Sequence, residues 1–170
     1  MLFRSGRLAL EIALNILQMP SLHGLTLQVK WPNDLYSPQG KWGGILVEPL
    51  SAHQAIIGVG LNLNTPPVEN ADQPITSLAM LGLHQIDRLT LIAELYTAIQ
   101  QAAQWFEHGS YNLAERFNHH AIWLNQEVEF EHAKGKVRGI FQGISNDGAV
   151  IIHTDQAQQF YQGRLRLASL

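Results

Sequence analysis

Short apolar runs separated by turn-forming residues constrain the first half of this chain more than any other feature. The runs cover residues 25–31, 42–50 and 55–63, and each is followed by Pro, Asn, Asp or Ser. Such residues favour tight turns between strands. The spacing therefore predicts an antiparallel meander of three strands. The nearly continuous apolar character of the runs predicts that helices cover it.

Helical periodicity flanks these strands on both sides. Apolar residues recur at helical spacing over residues 8–17. A longer amphipathic pattern covers residues 90–106, with Thr90 as its predicted N-cap and Gly109 just beyond its end. A shorter helix is predicted over residues 112–119. Helices together with an antiparallel sheet place the chain in the α+β class.

In the last third of the chain the pattern changes from helical periodicity to short strand-like runs, which predicts a second, smaller domain. Its β-strand candidates are short and are separated by turns such as residues 145–148; they cover residues 128–130, 137–144, 149–153, 159–161 and 165–167. Short strands packed this densely predict a small β-barrel. A sheet of this size has little core of its own, so we expect it to pack on the preceding domain. The predicted domains are residues 1–122 and 123–170.

Composition excludes several classes of protein. The 170 residues contain no cysteine, which excludes disulfides, thiolate zinc sites and a cysteine nucleophile. The net charge of -3 provides no overall attraction to nucleic acid or to an anionic membrane. No apolar stretch approaches the roughly 20 residues that span a bilayer. His119 and His120 are adjacent, so they point in different directions on a helix, and no metal site is predicted. We expect a cytoplasmic protein.

One stretch carries residues suited to chemistry. Asp34 follows the stiff Pro32 at the end of the first apolar run, and Lys41 returns seven residues later, across one turn. The two side chains can therefore face one pocket, beside the side-chain-free surface of residues 43–44. A lysine in such a pocket suits an anionic ligand. From the residues alone, two other interpretations stay open: a solvated loop lysine, and glycines required by strand packing.

Three motifs in order resemble those of the biotin–protein ligases, also called biotin–[acetyl-CoA-carboxylase] ligases. They read Lys-Trp-Pro-Asn-Asp at residues 30–34, Lys-Trp-Gly-Gly-Ile-Leu-Val-Glu at 41–48 and Ile-Gly-Val-Gly-Leu-Asn at 57–62. The resemblance implies part of a class II synthetase-like, biotin/lipoate ligase catalytic domain with a mixed, mainly antiparallel sheet. It also implies a C-terminal SH3-like barrel. Lipoate–protein ligases share the catalytic fold, but their motifs match less well.

The resemblance also implies an activity. Biotin and ATP, the latter with Mg²⁺, would give biotinyl-5′-AMP and pyrophosphate. The acceptor lysine of the biotin carboxyl carrier protein of acetyl-CoA carboxylase would then attack this acyl-adenylate. The family's central sheet can extend across two subunits, so a homodimer is a further expectation. Neither nucleic acid nor a membrane is an expected partner of this chain.

The same resemblance implies roles for individual residues. Lys41 would contact the biotin carboxylate and the α-phosphate, and Asp34 would orient or deprotonate the acceptor amine. The residues implied to bind ATP or the adenylate are Lys30, Asn33 and Asn62. The residues implied to line the biotin pocket are Gly44, Leu46 and Gly58, together with Lys41.

The sequence also departs from the family. The Gly-Arg-Gly-Arg loop and the Ser/Thr-rich strand that grip biotin in complete ligases are not in this chain, and neither is a helix-turn-helix. In place of a tryptophan that stacks on adenine in some members, residues 74–78 read Pro-Ile-Thr-Ser-Leu. We therefore expect this polypeptide, alone, to adenylate biotin poorly or not at all. The alternative is a non-catalytic remnant that acts as a binding or dimerisation module.

Aromatic and basic residues outside these roles leave alternatives open. Trp31 and Trp42 either stack on a ligand or pack in the protein interior. A basic group in the predicted barrel either reaches the ATP phosphates or forms a solvated strand face. Its members are Lys136, Arg138, Arg164 and Arg166.

Overall fold

A computed structural model describes residues 5–51, 53–64 and 73–168 of the chain. Its first half contains one helix, α1 (Ser5–Ile16), a short 3-10 helix (Pro20–Leu22) and an antiparallel sheet. The strands of that sheet are β1 (Gln28–Lys30), β2 (Asp34–Ser37), β3 (Gly40–Pro49) and β4 (Ala55–Leu61). They lie side by side in chain order, which confirms the predicted antiparallel meander.

The meander has one strand more than predicted. Residues 34–37 form β2. The sequence predicted only turns here, one at the Asn-Asp pair and one at the Ser-Pro-Gln-Gly segment, with a short connection between them. Leu35 and Tyr36 are buried, and Leu35 pairs with Val29 of β1. Two consecutive buried side chains are enough to hold this short segment in the sheet. The turn before β2 is therefore confined to residues 31–33.

Helices cover the sheet, as predicted, and α1 makes most of that contact. α1 is buried on nearly every side because it packs between β3 and the long helix α2 (Arg88–Glu107). The prediction that Thr90 caps α2 is wrong: Asp87 is the N-cap, and its carboxylate accepts hydrogen bonds from the Thr90 hydroxyl (2.7 Å) and the Leu89 N–H (3.0 Å). These hydrogen bonds, that from Thr90 first, lower the pKa of Asp87. The short helix α3 (Leu113–His120) follows.

The last third of the chain forms a second antiparallel sheet at the predicted positions. Its strands are β5 (Glu127–His132), β6 (Gly135–Ile144), β7 (Val150–His153), β8 (Ala157–Phe160) and β9 (Arg164–Leu167). Their order in the sheet is β8-β7-β6-β5-β9. Among the residues that the structure describes, no pairing joins β8 to β9, so the predicted closed barrel is not confirmed.

One hydrophobic core serves both sheets. Trp31, at the end of β1, packs against Phe130 of β5 with 5.6 Å between the ring centroids. Its indole N–H donates to the carbonyl of Gly148 in the β6–β7 turn, at 3.0 Å. The division into domains at residue 123 stays a prediction. None of the described helices is long and apolar enough to cross a membrane.

A buried ion pair ties the three helices together. Glu11 of α1 is fully buried, and its carboxylate lies 2.6 Å from the guanidinium of Arg116 in α3. The same guanidinium lies over the ring of Trp105 in α2, 4.3 Å from its centroid. Arg116 also donates from Nε to the carbonyl of Tyr111, at 3.0 Å. The Arg116 side chain therefore neutralises the Glu11 carboxylate of α1 and also contacts α2.

Replacing Arg116 by Met removes the partner of a buried carboxylate. We expect Arg116→Met to lower the free energy of unfolding by about 3 kcal/mol or more, measured by urea denaturation. The double variant Glu11→Met/Arg116→Met removes both charges and is expected to recover most of that loss. A single variant as stable as the parent would contradict the structural importance of this pair.

Candidate active site

An open cleft of about 440 Å³ lies on the first sheet. It contains six residues that the sequence singled out: Asn33, Asp34, Lys41, Gly44, Leu46 and Gly58. Ile45, Val59 and Gly60 complete its lining. Of the other two predicted site residues, neither Lys30 nor Asn62 belongs to the described lining. The cleft therefore joins the turn before β2 to the central parts of β3 and β4.

An ion pair occupies one end of the cleft. The ammonium of Lys41 lies 2.6 Å from Oδ1 of Asp34, as the shared pocket predicted from their spacing requires. The Asp34 side chain is 13% exposed and that of Lys41 is 30% exposed. Lys41 is thus the more accessible partner, and its ammonium is the cationic group in the described lining of the cleft.

A shift in strand register places Lys41 on the cleft side. Leu35 of β2 pairs with Gly43, but the next residue, Tyr36, pairs with Lys41, so no residue of β2 lies opposite Trp42 in the backbone register. Regular alternation would put residues 41 and 44 on opposite faces. The extra residue puts them on the same face, and the Lys41 Nζ lies 3.4 Å from the position that a Cβ on Gly44 would take.

The backbone of Lys41 is held from both sides. Tyr36 flanks it on β2, and the segment 73–76 runs along its other side. Its N–H donates to the carbonyl of Pro74, and its carbonyl accepts from the N–H of Thr76, both at 2.9 Å. Gly40 permits this close approach, because a Cβ there would lie 2.6 Å from the Pro74 oxygen. The sequence marked residues 74–78 only by the missing adenine-stacking tryptophan and did not predict that this segment lies along Lys41.

Lys30 lies behind Asp34. Its ammonium is 3.6 Å from Oδ2 of Asp34 and donates to Oε1 of Gln73 at 2.6 Å. It also lies over two aromatic rings, 5.5 Å from the centroid of Tyr36 and 5.4 Å from that of Trp123. The Lys30 side chain is therefore buried, and the Asp34 carboxylate lies between two ammonium groups.

The floor of the cleft consists of glycines on facing strands. Gly44 pairs with Gly60, and Leu46 pairs with Gly58. Among the described residues, a Cβ on Gly60 would meet no atom within 4 Å, and one on Gly58 would meet only the Leu46 Cβ at 3.8 Å. Gly43 differs, because its Cβ would lie 2.7 Å from the Gly60 carbonyl oxygen. Strand packing therefore explains Gly43 but leaves Gly58 and Gly60 as open surface.

Two family models match separate parts of the chain, one near each end. The model described as the biotin/lipoate A/B protein ligase family matches residues 5–62, which contain the whole cleft lining. The model described as the biotin protein ligase C terminal domain matches residues 123–165, which contain the second sheet up to β9. The chain belongs to the biotin protein ligase family.

Individual members of the biotin protein ligase family agree with this assignment. The chain is 33% identical to the bifunctional ligase/repressor BirA of Escherichia coli over 136 residues, covering 76% of this chain and 42% of that protein. It is 30% identical to the biotin–[acetyl-CoA-carboxylase] ligase of Mycobacterium tuberculosis over 125 residues, covering 73% of this chain and 46% of the relative. The chain thus spans about half the length of the curated relatives it matches.

A solved structure shares the fold. The biotin protein ligase from Aquifex aeolicus, in complex with biotin and ATP, superposes with a TM-score of 0.82 at 24% identity. The superposition covers 96% of this chain and 72% of that one. The likeness extends over both sheets, so it confirms the α+β architecture of a ligase-like first part followed by a β-rich second part.

The two predicted asparagines serve the local structure in different ways. Asn33 lines the cleft, and its side-chain amide donates to the Ile45 carbonyl at 2.6 Å, which ties the turn before β2 to β3. Asn62 follows β4 and donates to the Thr76 carbonyl at 3.1 Å. It therefore anchors the segment that flanks Lys41.

The aromatic residues and two of the basic residues left open above make contacts within the protein. Trp31 and Trp42 are buried, and the Trp42 indole donates to the Tyr36 carbonyl at 2.7 Å, so both are packing residues. Lys136 pairs with Glu129 and Arg138 with Glu127, each at 2.7 Å, on the solvated face of the second sheet.

The residues described by the structure include no group of three or more His, Asp or Glu side chains arranged to hold a metal ion. The rings of His119 and His120 lie edge to face, with centroids 4.9 Å apart.

Gly60→Val tests whether the glycine floor serves a ligand. The side chain would enter open cleft, and Val favours strands, so we expect the free energy of unfolding to stay within about 0.5 kcal/mol of the parent. Binding of biotinyl-5′-AMP, the ligand that the proposal below assigns to this cleft, is measured by titration calorimetry and is expected to be lost. Gly43→Val is the matched control: overpacking should cost about 1–3 kcal/mol in urea denaturation. Equal destabilisation by both substitutions would show that packing alone requires these glycines.

Proposed function

We propose that this chain carries the reaction-centre part of an ATP-dependent biotin–protein ligase site. The reaction is adenylation of biotin to biotinyl-5′-AMP, followed by transfer of biotin to the acceptor lysine of a biotin carboxyl carrier protein. The observation that carries this proposal is the Asp34–Lys41 pair at the end of the glycine-floored cleft. The names of the relatives, which are biotin–[acetyl-CoA-carboxylase] ligases and bifunctional ligase/repressors, support it.

In the first step Lys41 lowers a charge barrier. An oxygen of the biotin carboxylate attacks the α-phosphorus of ATP, and the bond to the β-phosphate oxygen breaks to release pyrophosphate. Carboxylate and phosphate are both anionic, so they repel each other until a cation neutralises them. The Lys41 ammonium lines the cleft and is partly exposed, which suits it to bridge the carboxylate and the α-phosphate.

In the second step Asp34 acts on the acceptor amine. The amine nitrogen attacks the acyl carbon of biotinyl-5′-AMP, and the carbon–oxygen bond to the phosphate breaks, so AMP leaves. The amine needs a free lone pair, and a carboxylate that accepts its proton or its hydrogen bond aligns it for attack. Asp34 is the carboxylate that lines the described cleft.

The remaining predicted roles divide along the cleft. Gly44, Leu46 and Gly58 would hold biotin, because the glycines leave room for its ring and Leu46 exposes more than half of its apolar side chain. Asn33 and Asn62 would contact the nucleotide. The Asn62 amide nitrogen is engaged with Thr76, so its side-chain oxygen is the group for the adenine amino group.

Lys30 and Mg²⁺ have narrower parts in this proposal. Lys30 contributes positive charge from behind Asp34 rather than from the cleft wall. Mg²⁺ would accompany ATP as a co-substrate ion. Because the Asp34 carboxylate lies between two ammonium groups, it does not fit a magnesium ligand, and we assign the ion no protein ligand.

The setting of the reaction completes the proposal. We place it in the cytoplasm, with the carrier protein as macromolecular substrate and a homodimer as the assembly. We also propose that the chain alone is weakly active, because the Gly-Arg-Gly-Arg loop is not among its 170 residues.

A second candidate is a non-catalytic binding or dimerisation module. It is favoured by one observation: in the described part of the chain, β4 pairs only with β3, so its outer edge is open for pairing with another strand. Ile56 on this strand is also exposed. The two candidates differ in whether Lys41 contacts a ligand.

Lys41→Ala distinguishes them. We expect the parent chain, given biotin, ATP and Mg²⁺, to form biotinyl-5′-AMP slowly, and Lys41→Ala to reduce that rate by about 100-fold or to background. The product is quantified by chromatography of radiolabelled ATP. Calorimetric titration with biotinyl-5′-AMP supplies a readout without turnover, and Lys41→Arg, which keeps the charge, is the control. Unchanged binding in Lys41→Ala would favour the non-catalytic module.

Asp34→Asn separates the two steps. With biotinyl-5′-AMP supplied, we expect transfer to the carrier protein to fall by about 100-fold, because the amide cannot accept the amine proton. Binding of biotinyl-5′-AMP should change much less, since the side chain keeps its shape. The measurement is biotin incorporation into the carrier protein, corrected for the rate without enzyme. A normal transfer rate would remove Asp34 from the second step.

A further inference from the structure

Three consecutive residues that lead into the candidate site contact residues between 122 and 148 of the chain. The Val29 carbonyl accepts from the Ile122 N–H at 3.0 Å. The Trp31 indole donates to the Gly148 carbonyl at 3.0 Å. Between them, the Lys30 ammonium lies under the Trp123 ring. The strand that pairs with Asp34 is therefore fixed in place from outside its own sheet.

Trp123 has an unusual backbone conformation at this junction. Its φ is +63°, in the left-handed region that bulky residues rarely adopt. Such conformations persist where surrounding contacts impose them, and they concentrate at functional sites. The Trp123 ring packs edge to face on Tyr36, with 5.9 Å between centroids, and covers Lys30. The strained residue is thus the one that contacts the lysine behind Asp34.

The partners of Lys30 explain why a ring is needed there. A buried ammonium requires compensation for its lost hydration. Gln73 accepts one hydrogen bond, Asp34 supplies charge at 3.6 Å, and the faces of Tyr36 and Trp123 supply cation–π attraction. The amide, the carboxylate and the two rings together hold Lys30 on Oδ2 of Asp34.

The two lysines therefore differ in their freedom to move. Lys41 lines the cleft and holds Oδ1, whereas Lys30 is enclosed and lies near Oδ2. When an anionic ligand draws Lys41 away, the charge on Asp34 still needs a partner. Lys30 can neutralise the Asp34 carboxylate at that stage only if the Lys30 ammonium stays in place.

We propose that Trp123 is a positioning residue for the reaction centre. Its ring keeps the Lys30 ammonium close to Oδ2 of Asp34. Meanwhile the Lys41 ammonium leaves Oδ1 of Asp34 and contacts an anionic ligand instead. The identity of that ligand, biotinyl-5′-AMP, rests on the proposed function. The positioning of Lys30 does not, so the two can be tested separately.

The first experiment measures Lys30 directly. Exchange of the lysine ammonium protons with water is followed by ¹⁵N-resolved NMR on the parent chain, Trp123→Leu and Trp123→Phe. Removal of the ring should make exchange at Lys30 about tenfold faster, since burial and cation–π contact are both lost. Phe, which keeps a ring, should stay within about twofold. Trp105→Leu removes a ring from Arg116 instead and controls for general loosening. Unchanged exchange in Trp123→Leu overturns the proposal.

The second experiment tests coupling to the ligand. Calorimetric titration with biotinyl-5′-AMP is carried out on Trp123→Leu, Lys30→Met and the double variant. We expect Trp123→Leu to weaken binding about fivefold in the parent but less than twofold in the Lys30→Met background. Equal effects in both backgrounds would mean that Trp123 acts independently of Lys30, which overturns the proposal. If the parent chain does not bind biotinyl-5′-AMP, the proposed function fails, and the exchange measurement still decides the role of Trp123.

Discussion

The Asp34 carboxylate lies between two lysines on the strands either side of its own, and the chemistry available in the cleft depends on this contact. Lys30 is directly opposite Asp34 across β1 and β2, and Lys41 reaches it from β3. Two ammonium groups around one carboxylate leave an excess of positive charge at one end of the cleft, whose other described lining residues are uncharged. In such surroundings electrostatic attraction to phosphate or carboxylate is screened less than on an open surface. The sheet therefore exposes the Lys41 ammonium in the cleft while the Asp34 carboxylate neutralises its charge.

Sequence patterns predicted those features that depend on neighbours along the chain. The helical periodicity of residues 90–106, the strands of the last third and the shared pocket of Asp34 and Lys41 are present in the structure. β2 was missed because its few residues are buried by tertiary packing that no local pattern records. The cap of α2 was misplaced because Asp87 and Thr90 are both capable N-caps, and only the hydrogen bonds distinguish them.

The environment of Lys30 lay beyond sequence reasoning for a related reason. Its amide partner is 43 residues away along the chain, and its second ring comes from the C-terminal part. The resemblance implied a phosphate-binding role for Lys30, whereas the structure encloses the ammonium behind Asp34. The core that both sheets share also depends on contacts between distant parts of the chain. Two separate family models describe the chain, but Trp31 of the first region packs into the interior of the second sheet.

The extra residue in β3, Trp42, has a consequence for how chains of this kind can vary in length. The tip of the β2–β3 hairpin, residues 38–39, lies in a turn, so insertions there would lengthen the loop without rotating either strand. An insertion or deletion between Lys41 and Gly44 would instead reverse the face to which Lys41 points. In this hairpin the number of residues from Lys41 to Gly44 would have to stay the same. The number of residues between Asp34 and Lys41 could vary.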